Sequence, residues 1–109
     1  MAGFVKGDIV VIYFPFSDGN LSVKRPALVL ANLPGEDIVM CQITKRDYSD
    51  YGAIPIGIND FVNGGLRLDS FIRPSKIFTL VKSDISGHCG KLNDQVINNV
   101  VQSIIDMLL

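Results

Sequence analysis

The sequence predicts a mainly β (α+β) fold, a small β-barrel of five to seven short strands with a C-terminal α-helix. Most of the chain consists of short β-branched or aromatic segments separated by turn residues rich in Gly and Pro. The last segment instead repeats apolar residues at helical spacing. With 109 residues, of which 48% are hydrophobic, the chain is expected to form one domain over 1–109. Barrel closure would protect the edges of so many short strands.

The first strands are the clearest elements. Ile9–Phe14 is β-branched and aromatic, which predicts a strand. After a loop, Pro26–Ala31 is an unbroken apolar run, typical of a strand that is covered on both faces. The Pro34-Gly35 pair marks a turn into Asp37–Thr44, so these two strands are predicted to form a hairpin.

The second half of the chain predicts shorter elements. Ala53–Ile58 alternates and contains a proline, as an edge strand tolerates. Asn63–Gly65 is interpreted as a turn, followed by two further short strands at Ser70–Arg73 and Lys76–Val81. The segment Ser86–Gly90 is interpreted as another turn, which would place His88 and Cys89 in it.

A broad apolar stripe predicts the closing helix. Asn93 is the expected N-cap, with Asp94 favourable for the helix dipole and Leu92 able to meet Ile97 as a hydrophobic staple. Together with the short strands, this helix predicts an SH3-like barrel. The stripe consists of Leu92, Val96, Ile97, Val100, Val101, Ile104, Ile105 and Leu108.

Composition excludes several classes of protein. The net charge of −1 argues against a protein that coats nucleic acid by bulk attraction, so any phosphate contact must be local. Cys41 and Cys89 form no metal-ligand spacing with His88, the one histidine, and reduced thiols are expected, Cys41 as a small buried hydrophobe. No apolar stretch reaches the length of a membrane span and the first residues lack a secretion signal, so a cytoplasmic location is expected.

Arg25 is the leading candidate for a functional residue. It stands with Lys24 directly before the apolar run that begins at Pro26, beside a flexible loop at 18–22. A guanidinium stays protonated at physiological pH and holds phosphate through a planar fork, so an anionic substrate is predicted. A surface salt bridge is the alternative interpretation. Further basic groups lie near predicted strand ends, at Lys45-Arg46 and at Arg73 with Lys76.

Five short motifs stand in a characteristic order: Gly7-Asp8, Arg25-Pro26, Ile43-Thr44, Arg73 before Ile77-Phe78-Thr79, and Gly90-Lys91-Leu92. In this order and spacing the chain resembles the MazF/PemK toxin family over nearly its whole length. The resemblance implies the toxin of a type II toxin–antitoxin system, a homodimer of SH3-like barrels. It also implies a metal-independent, sequence-selective endoribonuclease without cofactors that cleaves single-stranded mRNA to 2′,3′-cyclic phosphate and 5′-hydroxyl ends. A cognate antitoxin protein is the implied partner.

Three catalytic residues follow from the resemblance. Arg25 matches the arginine that contacts the scissile phosphate, and Thr44 matches the threonine that holds or polarises it. Arg73 matches a second arginine of some members, with an acid or phosphate-stabilising role. Without the resemblance, Thr44 would be interpreted as a strand-end hydroxyl bonded to its own backbone, and Arg73 as a salt-bridge residue.

Eight further residues are predicted to bind substrate. The basic groups would contact phosphates and Tyr48, like Tyr51, could stack on an unpaired base, although both tyrosines could equally be ordinary rim residues. The others lie in the loops or stand at family acid positions. The predicted set is Asp18, Asn20, Lys24, Lys45, Arg46, Tyr48, Ser75 and Lys76.

The chain departs from the family where a general base would stand. Many relatives carry Glu at the place of Asn20, and some carry an acid at the place of Ser75. The base must then be Asp18, His88 or Asp69, among which the sequence does not choose. The same departures leave open a barrel that binds RNA without cutting it. A CcdB-like gyrase poison is a third hypothesis, although the tryptophan expected near the end of its helix is absent, since the chain has no Trp.

Overall fold

The computed structural model describes residues 3–14, 23–46 and 52–109, without the side chains of Phe14 and Val23. These residues form one antiparallel sheet of seven strands in the order β4-β6-β3-β2-β1-β7-β5, with one α-helix. The predicted mainly β fold with a C-terminal helix is therefore confirmed. The elements are β1 (Asp8–Phe14), β2 (Val23–Asn32), β3 (Asp37–Thr44), β4 (Ile54–Ile56), β5 (Phe61–Gly64), β6 (Ser70–Val81), β7 (Ile85–Leu92) and α1 (Asp94–Leu108).

The connection between β5 and β6 requires the sheet to curl. These strands stand five positions apart in the sheet, which in a flat sheet is about 24 Å at about 4.8 Å per strand. Only residues 65–69 join them, and the six Cα–Cα steps from Gly64 to Ser70 reach about 21 Å when fully extended. The sheet therefore bends into a half-barrel, and the connecting segment crosses from one of its sides to the other.

Strand alternation gives the sheet two apolar faces. One face, which we call the helix-covered face, packs against the buried Val96, Ile97 and Val100 of α1. The other, the opposite face, has its own cluster with partly buried Phe4, Phe78, Leu80 and Ile85 packed against it. The buried sheet residues are Ile9, Leu28, Cys41, Ile43, Ile56, Ile72 and Leu92 on the first face, and Val10, Ile12, Ala27, Val29, Ile38 and Met40 on the second.

The helix begins as its sequence predicts. Asn93 is the N-cap, and its Oδ1 accepts a hydrogen bond from the Val96 N–H at 2.9 Å. Leu92 and Ile97 are buried in the same cluster, as expected for a hydrophobic staple. The described helix is too short and too polar to cross a membrane.

The β2–β3 hairpin is confirmed, whereas the two strands predicted at Ser70–Arg73 and Lys76–Val81 are one strand, β6. Its pairing with β3 jumps from Ile77, opposite Cys41, to Arg73, opposite Gln42. Residues 74–76 form a bulge, which the sequence analysis interpreted as a gap between two strands. A bulge at this place fits Pro74, because a proline within a sheet is tolerated at a bulge.

The turns predicted at Asn63–Gly65 and Ser86–Gly90 are wrong in large part. Asn63 and Gly64 belong to β5, and Ser86–Gly90 lies inside β7. Gly64 has a positive φ of 65°, and a Cβ there would lie 2.1 Å from the Cys89 carbonyl oxygen. These glycines therefore permit two backbones to approach closely within the sheet.

Candidate functional site

The starts of β2 and β6 and the end of β3 meet at one end of the half-barrel. In the β1–β2 pairing, Arg25 lies opposite Ile12 and Lys24 opposite Tyr13. The β2–β3 pairing extends only as far as Ala27 and Gln42, two residues short of Arg25 and Thr44. A cleft opens where this pairing stops.

The cleft has a volume of about 850 Å³. Its lining includes four cationic side chains and, among the described residues, no carboxylate, although the whole chain carries a net charge of −1. Such a local concentration of positive charge attracts anions. The lining residues are Val11, Lys24, Arg25, Pro26, Ile43, Thr44, Lys45, Gly65, Leu66, Arg67, Leu68, Ser70 and Cys89.

Arg25 is half-buried, and its Nε is buried. Strand alternation places it on the opposite face with Ile12 and Ala27, whereas its neighbour Lys24 lies on the helix-covered face. Lys24 is exposed, and its Nζ lies 5.4 Å from the centre of the Tyr13 ring, a cation–π distance. The predicted basic pair is therefore divided between the two faces of the sheet.

Thr44 is buried at the end of β3. Its Oγ1 accepts a hydrogen bond from the Arg46 N–H at 3.2 Å, which is the local backbone interaction considered for a strand-end hydroxyl. A hydroxyl that accepts one bond still has a proton to donate. The geometry therefore allows Thr44 to donate to an anion in the cleft that it lines.

Arg73 lies close to Thr44 on the same face. The β3–β6 pairing puts Arg73 opposite Gln42 and Phe71 opposite Thr44, and the Arg73 guanidinium donates to Gln42 Oε1. Arg25, Thr44 and Arg73 thus occupy neighbouring positions on three adjacent strands, β2, β3 and β6. Of these three residues, Arg25 and Thr44 line the cleft and Arg73 does not.

The structure divides the predicted substrate-binding residues into three groups. Lys24 and Lys45 line the cleft. Arg46 is exposed at the end of β3, while Ser75 and Lys76 lie in the β6 bulge, and none of these three lines the cleft. Three predictions, Asp18, Asn20 and Tyr48, lie outside the described residues.

Two of the three candidate bases are not lining residues of the cleft, although each is next to a lining residue in the chain. His88 Nε2 is 3.3 Å from Asp8 Oδ1, and Asp8 also accepts the Val5 N–H at 2.9 Å through Oδ2. The exposed Asp69 carboxylate lies beside Gly57. The third, Asp18, is outside the described part of the chain. Within that part, no group of three or more His, Cys, Asp or Glu side chains is placed to hold a metal ion.

Among the lining residues with a charged, hydroxyl or thiol side chain, sequence reasoning missed three, Arg67, Ser70 and Cys89. Arg67 lies in the segment between β5 and β6, and Ser70 directly follows that segment. The position of the segment depends on the curl of the whole sheet. Cys89 was placed in a turn and instead lies in β7. The alternation of Leu66, Arg67 and Leu68 is the one local signal that could have suggested a cation between two apolar neighbours.

The two thiols should differ in reactivity. Burial raises the pKa of Cys41 to about 12 and raises the pKa of Cys89, so both are protonated at neutral pH. We expect iodoacetamide to modify Cys89 in the folded protein, slowly at pH 7 and faster as the pH rises and the thiolate forms. Cys41 should react only after unfolding. Mass spectrometry of labelled peptides measures both rates, and equal labelling of Cys41 in the native protein would contradict the buried core.

The fold and the cleft define a small, mainly β protein, a curled half-barrel of seven antiparallel strands with a cationic cleft at its strand ends. A family model supplies the particular family, since it matches residues 5–108, nearly the whole chain. The chain belongs to the PemK-like, MazF-like toxins of type II toxin–antitoxin systems. No curated protein matches it in sequence.

Solved structures with the same fold include several toxins. A mycobacterial endoribonuclease in complex with its cognate antitoxin superposes with a TM-score of 0.74 at 16% identity, over 97% of this chain and 95% of that chain. The Mycobacterium tuberculosis toxin MazF-mt6 gives 0.72 at 18% identity, over 93% and 95%. MazF in a MazE–MazF structure from Deinococcus radiodurans gives 0.74 at 19% identity, over 95% and 94%. At these identities the likeness concerns the fold.

Proposed function

We propose that this toxin is an endoribonuclease that cleaves single-stranded RNA without a metal ion, at a short recognised sequence. RNA carries its own nucleophile, the ribose 2′-hydroxyl, so the enzyme must align it, remove its proton, stabilise the phosphoryl oxygens and protonate the leaving 5′ oxygen. The products would be a 2′,3′-cyclic phosphate and a 5′-hydroxyl.

In this proposal Arg25 and Thr44 hold the scissile phosphate. The Arg25 guanidinium supplies charge at the rim of the cleft and the Thr44 hydroxyl supplies a neutral donor beside it. Arg73, kept in orientation by Gln42, stabilises charge next to them. Asp18 remains a candidate base from the sequence.

One observation carries the proposal, the cleft with four cations and no described carboxylate in a protein of net charge −1. An anionic chain is the ligand that such a cleft attracts, and a polymer with regularly spaced phosphates can contact several of the cations together. Membership of the family and the endoribonuclease relatives of the same fold favour RNA over other anions.

Two partners belong to the same proposal. We infer that the toxin binds a cognate antitoxin, because one relative of the same fold is described in complex with its cognate antitoxin and another in a MazE–MazF structure. We also propose that it forms a homodimer, as its membership of the family implies. An acidic, extended antitoxin segment would fit the charge of the cleft. Its binding would then compete with RNA.

The test is cleavage of a long single-stranded RNA by the purified toxin in the presence of EDTA. We expect discrete fragments whose ends are 2′,3′-cyclic phosphates and 5′-hydroxyls, identified by mass spectrometry. A DNA strand of the same sequence is the matched control, since it lacks the 2′-hydroxyl and should stay intact. Intact RNA at stoichiometric toxin would overturn the catalytic proposal, and cleavage of the DNA would overturn the proposed chemistry.

A further inference from the structure

We propose that Arg67, on the segment between β5 and β6, binds a second phosphate of the RNA and so positions the strand in the cleft. The inference rests on the proposed ribonuclease function and adds a residue that the sequence patterns did not indicate. Arg67 lines the cleft together with Lys24, Arg25 and Lys45, although it comes from a different part of the chain.

The backbone on both sides of Arg67 is fixed. The Gly65 N–H donates to the Cys89 carbonyl at 3.1 Å, and the Ser70 hydroxyl donates to the Leu68 carbonyl at 3.0 Å. Leu66 packs against the helix-covered cluster. The backbone of a segment with three such attachments loses little conformational entropy when its arginine binds a ligand.

The charge of Arg67 is available to a ligand. The side chain is exposed, and within the described part of the chain no carboxylate lies within ion-pair distance of it. Lys24 extends from β2 and Lys45 from the position directly after β3, whereas Arg67 extends from the segment that crosses between the sides of the half-barrel. A strand of RNA that enters the cleft would therefore have cations on both of its sides.

The position of Arg67 assigns it a binding role distinct from that of Arg25. Arg25 and Thr44 lie on neighbouring strands at the rim, while Arg67 is not among the three catalytic positions on β2, β3 and β6. A phosphate next to the scissile one is the group that an arginine so placed would hold. Its loss should weaken binding and leave the chemical step at saturating RNA largely unchanged.

The experiment measures binding and cleavage by the full chain and by Arg67→Gln. Binding is measured by fluorescence anisotropy with a single-stranded DNA, which cannot be cut by 2′-hydroxyl attack, over a range of salt concentrations. We expect Arg67→Gln to weaken binding about tenfold, the value of one exposed charged contact. The slope of log affinity against log salt should fall by about 0.7, as for the loss of one phosphate contact.

Two variants sharpen the test. Arg67→Lys keeps the charge and should keep the salt slope, while Lys6→Gln removes an exposed charge that does not line the cleft and should change neither quantity. If folded Arg67→Gln binds the DNA with unchanged affinity and an unchanged salt slope, the inference about Arg67 is overturned. The proposed function stands in that case as long as the wild-type toxin cleaves RNA. Wild-type toxin that binds DNA but leaves RNA intact overturns the proposed catalysis alone, and wild-type toxin that binds no single strand overturns both.

Discussion

Replacing Arg25 with alanine is expected to lower RNA cleavage at saturating substrate by about 10²–10³-fold, the usual cost of losing one preorganised donor to transition-state charge. The side chain is half-buried at the point where β2 and β3 cease to pair, and its place is fixed by the apolar strand that follows it. A rigidly held guanidinium stabilises developing phosphoryl charge without reorganisation. Single-turnover kinetics with a fluorescent RNA measure the chemical step directly.

Two further variants test whether the loss depends on the shape of the guanidinium and on its position. Arg25→Lys retains the charge but loses the planar fork, so it should recover only part of the rate. Lys24→Gln removes a cation from the adjacent residue on the other face of the sheet, and it should raise KM with little change in kcat. If a folded Arg25→Ala variant cleaves within about threefold of the wild-type rate, Arg25 does not make the transition-state contact proposed for it.

The difference between Lys24 and Arg25 shows what strand geometry adds to a sequence pattern. In the sequence the two residues form one basic group before an apolar run. In the sheet, successive side chains point to opposite faces, so Lys24 lies beside Tyr13 on one face while Arg25 lies beside Ile12 on the other. Residues that are equivalent in charge are therefore assigned different roles, because their faces differ.

The elements that the sequence predicted correctly depend on local signals. Alternation and β-branched residues located β1 and β3, and the four-residue period with Asn93 located α1. Glycines misled the prediction at β5 and β7 because a glycine that ends a strand and a glycine that permits close backbone approach look the same in sequence. Only the pairing of Gly64 with Gly90 distinguishes these two uses.

The candidate site was predictable in part for the same reason. Arg25 and Thr44 stand at strand ends that local patterns reveal, so their approach follows from the predicted hairpin. Arg67 reaches the cleft only because five residues must cross a curled sheet whose strand order is not readable from local pattern. Long-range topology therefore determines one side of the cleft, while local pattern determines the other.

Gly64→Ala is expected to destabilise the fold by about 3 kcal/mol or more, because the substitution adds backbone strain and an overlap of the new Cβ with fixed backbone atoms. At Gly64, φ is +65°, and an added Cβ would lie 2.1 Å from the Cys89 carbonyl oxygen and 2.6 Å from the Gly90 Cα. Neither neighbour is the end of a flexible side chain, so β5 and β7 must separate. Urea unfolding followed by circular dichroism measures the loss.

Two other glycines separate the causes of this loss. Gly35 has a φ of +84° and nothing within 4 Å of an added Cβ, so Gly35→Ala carries strain alone and should cost about 1 kcal/mol. Gly90→Ala carries overlap alone, because its Cβ would lie 2.5 Å from the Asn63 carbonyl oxygen in ordinary extended backbone. A Gly64→Ala loss no larger than that of Gly35→Ala would mean that β5 moves freely away from β7. The segment that carries Arg67 would then lack its fixed beginning.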